Sequence, residues 1–175
     1  MAKPALAEVL QIVDPMLSDN FELILSPPPG VAGINAQALR IQCKTATKPG
    51  MTIETVQYEL FGHTVEFAGK LTYSHTMSVE YVENFQGTIT RSFENWIEVA
   101  RNHRFALGAF KKNYAGTAQM FIYDQTGALS LSYNLFNVFP TEVAELSFDG
   151  SAATGLSVSM TLSYDYYEVL SSNVG

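Results

Sequence analysis

Asn137-Val-Phe-Pro-Thr-Glu-Val143, which reads NVFPTEV, lies between two runs of alternating apolar and small polar residues. A proline in such a position is typical of a sheet edge or a corner, because proline cannot donate a hydrogen bond to a neighbouring strand. No group of acids, bases or nucleophiles surrounds this turn in the sequence. The stretch therefore indicates a structural corner rather than a catalytic site.

Most of the chain shows the two-residue alternation expected of sheets that bury one face. The clearest run is 156–164, where large apolar residues alternate with serine and threonine. Similar runs occupy residues 39–44, 56–60, 65–73, 77–81 and 129–135. Turn signals separate the runs, namely FGH at 61–63, FAGK at 67–70, DQTG at 124–127 and FDGS at 148–151. The pattern predicts a mainly β protein.

Residues 88–104 (TITRSFENWIEVARNHR) break this alternation and follow helical spacing instead. Their apolar residues fall on one stripe, formed by Phe93, Trp96, Ile97 and Ala100. Such a stripe predicts a helix of about three to four turns packed on a sheet. Thr90 or Ser92 can cap its start, and the positive charges of Arg101 and Arg104 suit the negative end of a helix dipole.

The N-terminal part of the chain shows two further patterns. Residues 4–13 (PALAEVLQIV) have helical spacing that Asp14-Pro15 ends, so we expect a short amphipathic helix within an N-terminal arm at 1–20. Residues 26–33 (SPPPGVAG) contain three prolines, which remove three backbone donors from any strand ladder. This second segment predicts a loop.

Length and charge limit the possible functions. A chain of 175 residues suits a single domain, 1–175, with a proper core. Acidic residues outnumber basic ones by 17 to 10, and the formal net charge is −7. Tight DNA binding needs lysine and arginine to displace counterions from phosphates, so this class of function is disfavoured. A surface that repels DNA is compatible with the same charge.

The sequence offers little for catalysis or cofactor binding. Cys43 is the only cysteine, which excludes an intrachain disulfide and a cysteine-based zinc site, and we interpret it as a small buried strand residue. The three histidines have no neighbours at metal-ligand spacing; they are His63, His75 and His103. No nucleophile elbow, P-loop or dinucleotide fingerprint is present. We therefore expect a protein that is not an enzyme and has no metal or cofactor.

The sequence also shows no clean signal-peptide core and no apolar run long enough to cross a membrane. We therefore expect cytosolic synthesis and no membrane anchoring.

Two features favour assembly. The polar strand faces are made of serine, threonine, asparagine and glutamine and are nearly free of lysine, which commonly protects edge strands from pairing with other chains. Residues 45–54 (TATKPGMTIE) form a Pro-Gly connection long enough to project from a sandwich. Both features are expected when neighbouring copies extend the sheets.

Four stretches, in the expected order, resemble the tail tube proteins of contractile-tailed bacteriophages, with wider kinship to the tube protein of type VI secretion systems. They are IQCKTATKPG (41–50), VQYELFGHTVEFAGKLTYSHTMSVEYVEN (56–84), ITRSFENWIEV (89–99), and YNLFNVFPTEVAELSFDG followed by VSMTLSYDYYE (133–168). NVFPTEV and the terminal SYDYYE are the most specific parts of the likeness. The chain departs from the family at 27–37 (PPPGVAGINAQ), which is longer than the usual link between strands.

The resemblance implies a fold of two packed antiparallel sheets, close to a β-barrel, with one flanking helix. In such a fold Pro140 would end one strand and let the chain change sheets. The final hairpin, formed by residues 143–149 and 156–164, would then close the sandwich. Asn137, Phe139 and Pro140 are accordingly predicted to be a structural strand-switch motif.

The resemblance also implies a function as a structural subunit of the virion tail, assembled in the host cytoplasm. Six subunits would form a ring, and stacked rings would form a hollow tube that conducts double-stranded DNA without binding it specifically. The implied partners are further copies of the chain, the tail sheath, the baseplate and the tail terminator. Ring-to-ring contacts are expected from the hairpin at 56–73 and from a loop made of Thr47, Lys48, Pro49, Gly50 and Met51.

Two alternatives stay open on the sequence alone. One is the tube protein of a related contractile device, either a phage-tail-like bacteriocin or a type VI secretion system. The other, from a different functional class, is a small β-barrel that binds an apolar ligand in a hollow core.

Overall fold

The computed structural model describes residues 16–149, 151 and 154–170. Its strands are β1 (Phe21–Ser26), β2 (Cys43–Ala46), β3 (Met51–Leu60), β4 (His63–Tyr73), β5 (Thr76–Val82), β6 (Gly116–Tyr123), β7 (Leu129–Val143), β8 (Ser157–Ser163) and β9 (Tyr166–Leu170). Its helices are α1 (Ala36–Gln42), α2 (Thr88–Ala100) and α3 (Lys111–Tyr114). The helix predicted at 4–13 lies outside the described residues. No helix within the described ranges is long and apolar enough to cross a membrane.

The strands form two antiparallel sheets that share β7. The first sheet has the order β1-β6-β7-β9, and the second has the order β7-β8-β5-β2. Strands β3 and β4 form a separate hairpin. Both sheets and α2 contribute buried side chains to one core, among them Leu23, Leu135, Met77, Tyr81, Val158, Leu162, Phe93 and Trp96. The predicted fold of two packed antiparallel sheets with a flanking helix is confirmed.

Strand β7 joins the sheets because its two halves have different partners. Residues 129–138 pair with β6, and residues 132–136 also pair with β9. Residues 139–143 pair with β8 in the second sheet. Between the halves, Asn137 adopts a left-handed backbone conformation with φ of 56°, which asparagine tolerates better than most residues. The left-handed residue therefore lies at the point where the strand changes partners.

Pro140 does not end a strand, so that expectation is wrong. Strand β7 continues through Val143, and the ladder shifts register between Pro140 and Glu142. A bulge lets the strand contain a residue without a backbone donor. In the closing hairpin, residues 139–143 pair with residues 160–163. The prediction paired residues 143–149 with 156–164, so the first strand of the hairpin lies earlier in the chain than predicted.

One carboxylate holds the bend in β7 against two other segments. The Asn137 amide donates to Asp165 Oδ2 at 2.6 Å, and Lys111 Nζ donates to the two Asp165 carboxylate oxygens at 2.5 and 2.6 Å. The backbone N–H of Asp165 donates to the Phe136 carbonyl at 3.0 Å. The hydrogen bond from Lys111, helped by that from Asn137, outweighs desolvation and holds the pKa of Asp165 below its usual value. NVFPTEV and SYDYYE therefore meet in space.

The start of α2 is capped by Glu83, and not by Thr90 or Ser92 as predicted. The Glu83 carboxylate accepts hydrogen bonds from Ile89 N at 3.1 Å, Thr90 N at 2.8 Å and Thr90 Oγ1 at 2.5 Å. Ser92 lies inside the helix and donates its hydroxyl to the Thr88 carbonyl at 2.8 Å. A carboxylate at this position satisfies free backbone donors and interacts favourably with the helix dipole.

The end of α2 also differs from the prediction. The helix stops at Ala100, and Arg101 is already extended with φ of −151°. Arg101 and Arg104 consequently do not lie in the last helical turn. The predicted apolar stripe does face the core, most deeply at Phe93 and Trp96, which are fully buried.

Residues 36–42 form a helix, so the strand predicted from alternation at 39–44 is wrong over its first four residues. The Asn35 side chain accepts a hydrogen bond from Ala38 N at 3.1 Å and caps this helix. Alanine, leucine and arginine in AQALRIQ all favour a helix. The helix buries Leu39 and leaves Ile41 70% exposed, and only from Cys43 onward does the chain enter β2.

The turn signals have mixed outcomes. Phe61-Gly62 joins β3 to β4, and the segment 124–127 joins β6 to β7, as predicted. The FAGK segment, in contrast, lies inside β4, where the ladder shifts register. A Cβ atom on Gly69 would approach the Glu54 carbonyl oxygen to 2.9 Å. The glycine is thus explained by a bulge rather than by a turn.

The left-handed bend gives a first prediction. Both Asn137→Ala and Asn137→Gly lose the hydrogen bond to Asp165, but only alanine resists a positive φ. We expect the free energy of unfolding of the alanine variant to be lower than that of the glycine variant by about 1 kcal/mol. Urea unfolding followed by fluorescence of Trp96, the single tryptophan, measures this difference. Equal stabilities would contradict the strained bend.

The cap on α2 gives a pH-dependent prediction. Desolvation raises the pKa of Glu83, but the hydrogen bonds from Thr90, Ile89 and Asn84 outweigh it, and the pKa lies below its usual value. Stabilisation by the carboxylate is therefore present above the unfolded-state pKa of about 4.3 and is lost as the pH falls through the folded-state value.

We expect Glu83→Gln to lower the free energy of unfolding by about 1 kcal/mol at pH 7. The difference from the wild type should vanish at acidic pH, where the wild-type carboxyl is protonated. Glu145→Gln, which changes an exposed glutamate, is the matched control and should change stability by less than about 0.5 kcal/mol. A Glu83→Gln deficit that persists at low pH would point to packing instead of charge.

Candidate assembly surfaces

The β3–β4 hairpin exposes both of its faces. Every residue of β3, and all of β4 up to Leu71, is exposed. The turn residue Phe61 projects fully into solvent. The alternation in 56–60 and 65–73 therefore does not mark a face that is buried within this chain. An isolated two-stranded hairpin is at best marginally stable in water, so this hairpin needs a covering surface.

The distal half of the hairpin, nearer the turn, has one apolar and one polar face. Val56 pairs with Phe67 and Tyr58 pairs with Val65, and the rings of Tyr58 and Phe67 make an edge-on contact at 5.7 Å. We call this surface the distal patch; it comprises Val56, Tyr58, Leu60, Val65 and Phe67, which are between 39% and 55% exposed.

The opposite face of the same half is polar. Gln57 pairs with Glu66 and donates a hydrogen bond to its carboxylate at 2.6 Å. Glu59 pairs with Thr64, and Thr55 lies on the same face. This polar face therefore carries two carboxylates and no lysine.

The apolar side chains change faces towards the base of the hairpin. Between the Thr55–Ala68 and Ile53–Leu71 pairs, β4 contains one residue more than β3. As a result Ile53 and Leu71 lie on the face that is polar in the distal half. We call this surface the proximal patch; it comprises Met51, Ile53, Leu71 and Tyr73. The hairpin thus presents two apolar patches on opposite faces.

The loop at 47–50 lies at the base of the hairpin and is tied to the core. Thr47 exchanges hydrogen bonds with the backbone of Ser78, with N···O distances of 2.8 and 2.9 Å. Pro49 is buried, and the Gly50 carbonyl accepts a hydrogen bond from Ser74 N at 3.0 Å. The expectation that this loop projects from the sandwich is therefore wrong, because the hairpin that starts at Met51 projects instead.

Lys48 in this loop is exposed, and its Nζ lies over the Tyr133 ring, 5.4 Å from the ring centre. Phe139 in the strand-switch motif packs its ring edge-on against Tyr114 at 5.1 Å. The hydrogen bonds of the described residues do not link the loop at 47–50 to Asn137 or Pro140. The two predicted sets of residues consequently occupy separate places in the fold.

Several strand edges lack a second partner among the described residues. Strands β1, β9 and β2 each pair on one side only. Neither β1 (FELILS) nor β9 (YYEVL) contains lysine, and Lys44 in β2 is engaged by Glu80 at 2.8 Å. These margins have little of the charge that prevents strands of other chains from adding to a sheet.

The described residues show no cluster of three histidine, cysteine, aspartate or glutamate side chains able to hold a metal ion. His75 Nδ1 lies 3.0 Å from the Tyr164 carbonyl, and His103 lies 3.2 Å from Glu98. Burial raises the pKa of Cys43 to about 12, so its thiol stays protonated at neutral pH. The two histidines and Cys43 therefore contact only groups of the fold itself, and none of them forms part of a metal cluster among the described residues.

Comparisons with known structures find the same fold in chains of contractile devices and of a tail tube. The anti-feeding prophage tube-terminating cap matches with a TM-score of 0.65 and 15% identity, covering 92% of this chain and 94% of that one. A chain of the sheath-tube complex of an extracellular contractile injection system (PVC, extended state) matches with a TM-score of 0.65 and 13% identity, covering 97% of this chain and 100% of that one.

The SPP1 tail tube protein is also similar, with a TM-score of 0.53 and 10% identity over 89% of this chain and 78% of that one. At these identities the likeness concerns the fold. No curated protein sequence matches the chain significantly.

The family assignment comes from the sequence model described as phage tail tube protein, which matches residues 16–170. The matched range includes the β3–β4 hairpin, the bend in β7 and the Glu83 cap of α2. The chain therefore belongs to the phage tail tube protein family.

Proposed function

We propose that six copies of this chain form a ring and that the rings stack into a hollow tube that conducts double-stranded DNA. The β3–β4 hairpin carries the proposal. Its distal and proximal patches expose apolar side chains on opposite faces, and of these side chains only Tyr73 packs partly against the chain's own core. Each buried aliphatic or aromatic side chain contributes about 1.5–3 kcal/mol, so covering the patches favours association strongly.

Opposite faces require two different neighbours. A surface that covers the distal patch lies on one side of the hairpin, and a surface that covers the proximal patch lies on the other. Ring closure and ring stacking each need a heterologous interface, in which different surfaces of identical copies meet. The hairpin supplies part of both interfaces. The loop at its base lies beside the ring-to-ring contact and comprises Thr47, Lys48, Pro49, Gly50 and Met51.

The polar face of the distal half is the surface that we assign to the bore. The apolar face needs protein cover, so the face with Glu59 and Glu66 is the one left in water. Its carboxylates repel phosphates, and no lysine on it holds the DNA backbone. Duplex DNA would therefore slide along the bore without binding it.

The tube would be part of a virion tail that is assembled in the host cytoplasm, with the sheath, baseplate and tail terminator as partners. The structural neighbours support these partners, because their descriptions name a tube cap, a sheath-tube complex and a baseplate. The role is structural and involves no catalysis, no cofactor and no membrane anchor.

A second candidate is the tube of a related contractile injection device, such as a phage-tail-like bacteriocin. The two neighbours with a TM-score of 0.65 described above, the anti-feeding prophage cap and the PVC tube, favour it. Genes for a capsid and DNA packaging beside the coding sequence would indicate a virion, and their absence would indicate an injection device. A ligand-binding barrel is disfavoured, because large buried side chains such as Trp96, Tyr81 and Phe93 fill the core.

The assembly proposal predicts the behaviour of hairpin variants. Tyr58→Ser combined with Phe67→Ser should abolish tubes in negative-stain microscopy, because it removes the apolar centre of the distal patch. Both side chains are exposed, so unfolding followed by Trp96 fluorescence should change by less than about 0.5 kcal/mol. The matched control, Gln57→Ser with Thr64→Ser, changes the polar face and should leave tube formation intact.

Two results would contradict the proposal. One is a wild-type chain that remains monomeric in sizing chromatography at high concentration and forms no rings or tubes in micrographs. The other is a Tyr58→Ser, Phe67→Ser variant that assembles as the wild type does.

The bore assignment predicts a gain of DNA binding. Tubes of the variant Glu59→Lys, Glu66→Lys should retain a fluorescent duplex that wild-type tubes release, because lysines displace counterions from phosphates. Retention should fall steeply between about 50 and 200 mM salt. The control Glu59→Gln, Glu66→Gln removes the negative charges without adding positive ones and should bind far less. Lysine-bearing tubes that do not retain DNA would place this face outside the bore.

A further inference from the structure

A structured basic loop follows the C-terminal end of α2. We define the basic loop as residues 101–112 (RNHRFALGAFKK), which contain four of the chain's 10 lysine and arginine residues. Asn102 N donates to the Leu107 carbonyl at 3.0 Å, and Ala109 N donates to the Ala100 carbonyl at 3.0 Å. The Asn102 side chain accepts hydrogen bonds from the backbone N–H groups that follow it, at 3.0 and 3.1 Å. The loop is therefore pre-organised.

The basic loop presents apolar and basic side chains together. Phe105 and Leu107 are 71% and 69% exposed. Arg101 and Arg104 are exposed on the same short segment. An ordered segment with exposed phenylalanine and leucine directly after two arginines is costly to leave in water, and it suits an apolar surface with acidic surroundings.

A groove with the complementary character lies at the other end of α2. We define the α2 groove by Phe85, Leu146, Phe148 and Glu94, which line it together with the start of the helix. Phe85 and Phe148 are 96% and 79% exposed.

The charge of the α2 groove is complementary to that of the basic loop. Glu83 and Glu94 line the groove together with Arg91, and the exposed residues Glu145 and Asp149 are sequence neighbours of the lining residues Leu146 and Phe148. The groove is thus apolar at its centre and acidic at its margin.

The apolar parts of the loop and the groove lie apart within one copy. Phe85 precedes the N-terminal end of α2 and the basic loop follows its C-terminal end, and this 13-residue helix is about 20 Å long. A contact between them joins the C-terminal end of α2 in one copy to the N-terminal end of α2 in the next. Such a contact is heterologous and repeats from copy to copy, as in rings and filaments.

We propose that the basic loop of one copy docks into the α2 groove of a second copy of this chain. Phe105 and Leu107 cover the exposed phenylalanines, and Arg104 pairs with the acidic margin at Glu94. This inference rests on the proposed tube function and adds a contact that does not involve the β3–β4 hairpin.

A charge-reversal cycle tests the contact through the concentration at which tubes form. Arg104→Glu and Glu94→Arg each place like charges together, and each should raise that concentration about tenfold. The double variant restores opposite charges and should return to within about threefold of the wild type. Glu94→Arg is the decisive variant, because it reduces the net negative charge of −7 and would ease association if overall repulsion alone mattered.

A second measurement removes the apolar part of the contact. Phe105→Ser should also raise the assembly concentration, and the matched control Leu129→Ser, another exposed apolar residue, should not. Circular dichroism and Trp96 fluorescence show that each variant remains folded.

The possible outcomes separate this inference from the function on which it rests. Wild-type chains that form no tubes would overturn both. Wild-type tubes, combined with Arg104→Glu and Phe105→Ser variants that assemble at the wild-type concentration, would overturn the loop-in-groove contact alone. A double variant no better than the two single variants would show that Arg104 and Glu94 do not pair.

Discussion

The two-sheet arrangement depends on a single bend in a 15-residue strand. Without the left-handed residue at Asn137, β7 would continue along one sheet, and β8 would have no second-sheet partner in β7. The Asp165 carboxylate that receives the Asn137 amide also receives Lys111, so the bend is fixed to α3 and to the start of β9. One hydrogen-bonded cluster therefore determines where the chain leaves the first sheet and where it returns to it.

The chain buries one set of apolar side chains in its own core and exposes a second set on the β3–β4 hairpin. The shared core contains the large side chains of both sheets and α2, whereas the apolar side chains of the hairpin other than Tyr73 lie outside it. A hairpin whose apolar residues are on one face could fold back onto its own sheets, with that face inward. The bulge at Gly69 prevents this by sending the proximal and distal patches in opposite directions. Folding back would cover only one patch, and neighbouring chains can cover both.

The strands and their alternation could be predicted from the sequence, but the surface that covers them could not. The hairpin has the same two-residue period as a strand of the core, because alternation reports that a face is covered and not by which molecule. Leu39, Ile41 and Cys43 also show this period. Leu39 and Ile41 nevertheless lie in a helix, which the Asn35 side chain caps. Strands β6 and β9 were not predicted, since their apolar residues are too continuous to alternate cleanly. Strand β1 was not predicted either, although Phe21, Leu23 and Leu25 share one parity. Glu83 caps α2 from five residues before its first residue, a position outside the local spacing at which serine and threonine hydroxyls cap a helix.

The negative charge of the chain limits how these surfaces can work. Each added copy carries a formal charge of −7, so long-range repulsion opposes assembly. At physiological ionic strength this repulsion is screened beyond about 8 Å, and the balance is decided by groups in direct contact. Apolar patches favour contact regardless of charge, which suits the hairpin, while a basic loop against an acidic groove adds attraction only where the register is correct. In the proposed tube, the scarcity of lysine elsewhere would leave the bore free of phosphate-binding groups, and it makes the basic loop distinct from the rest of the surface.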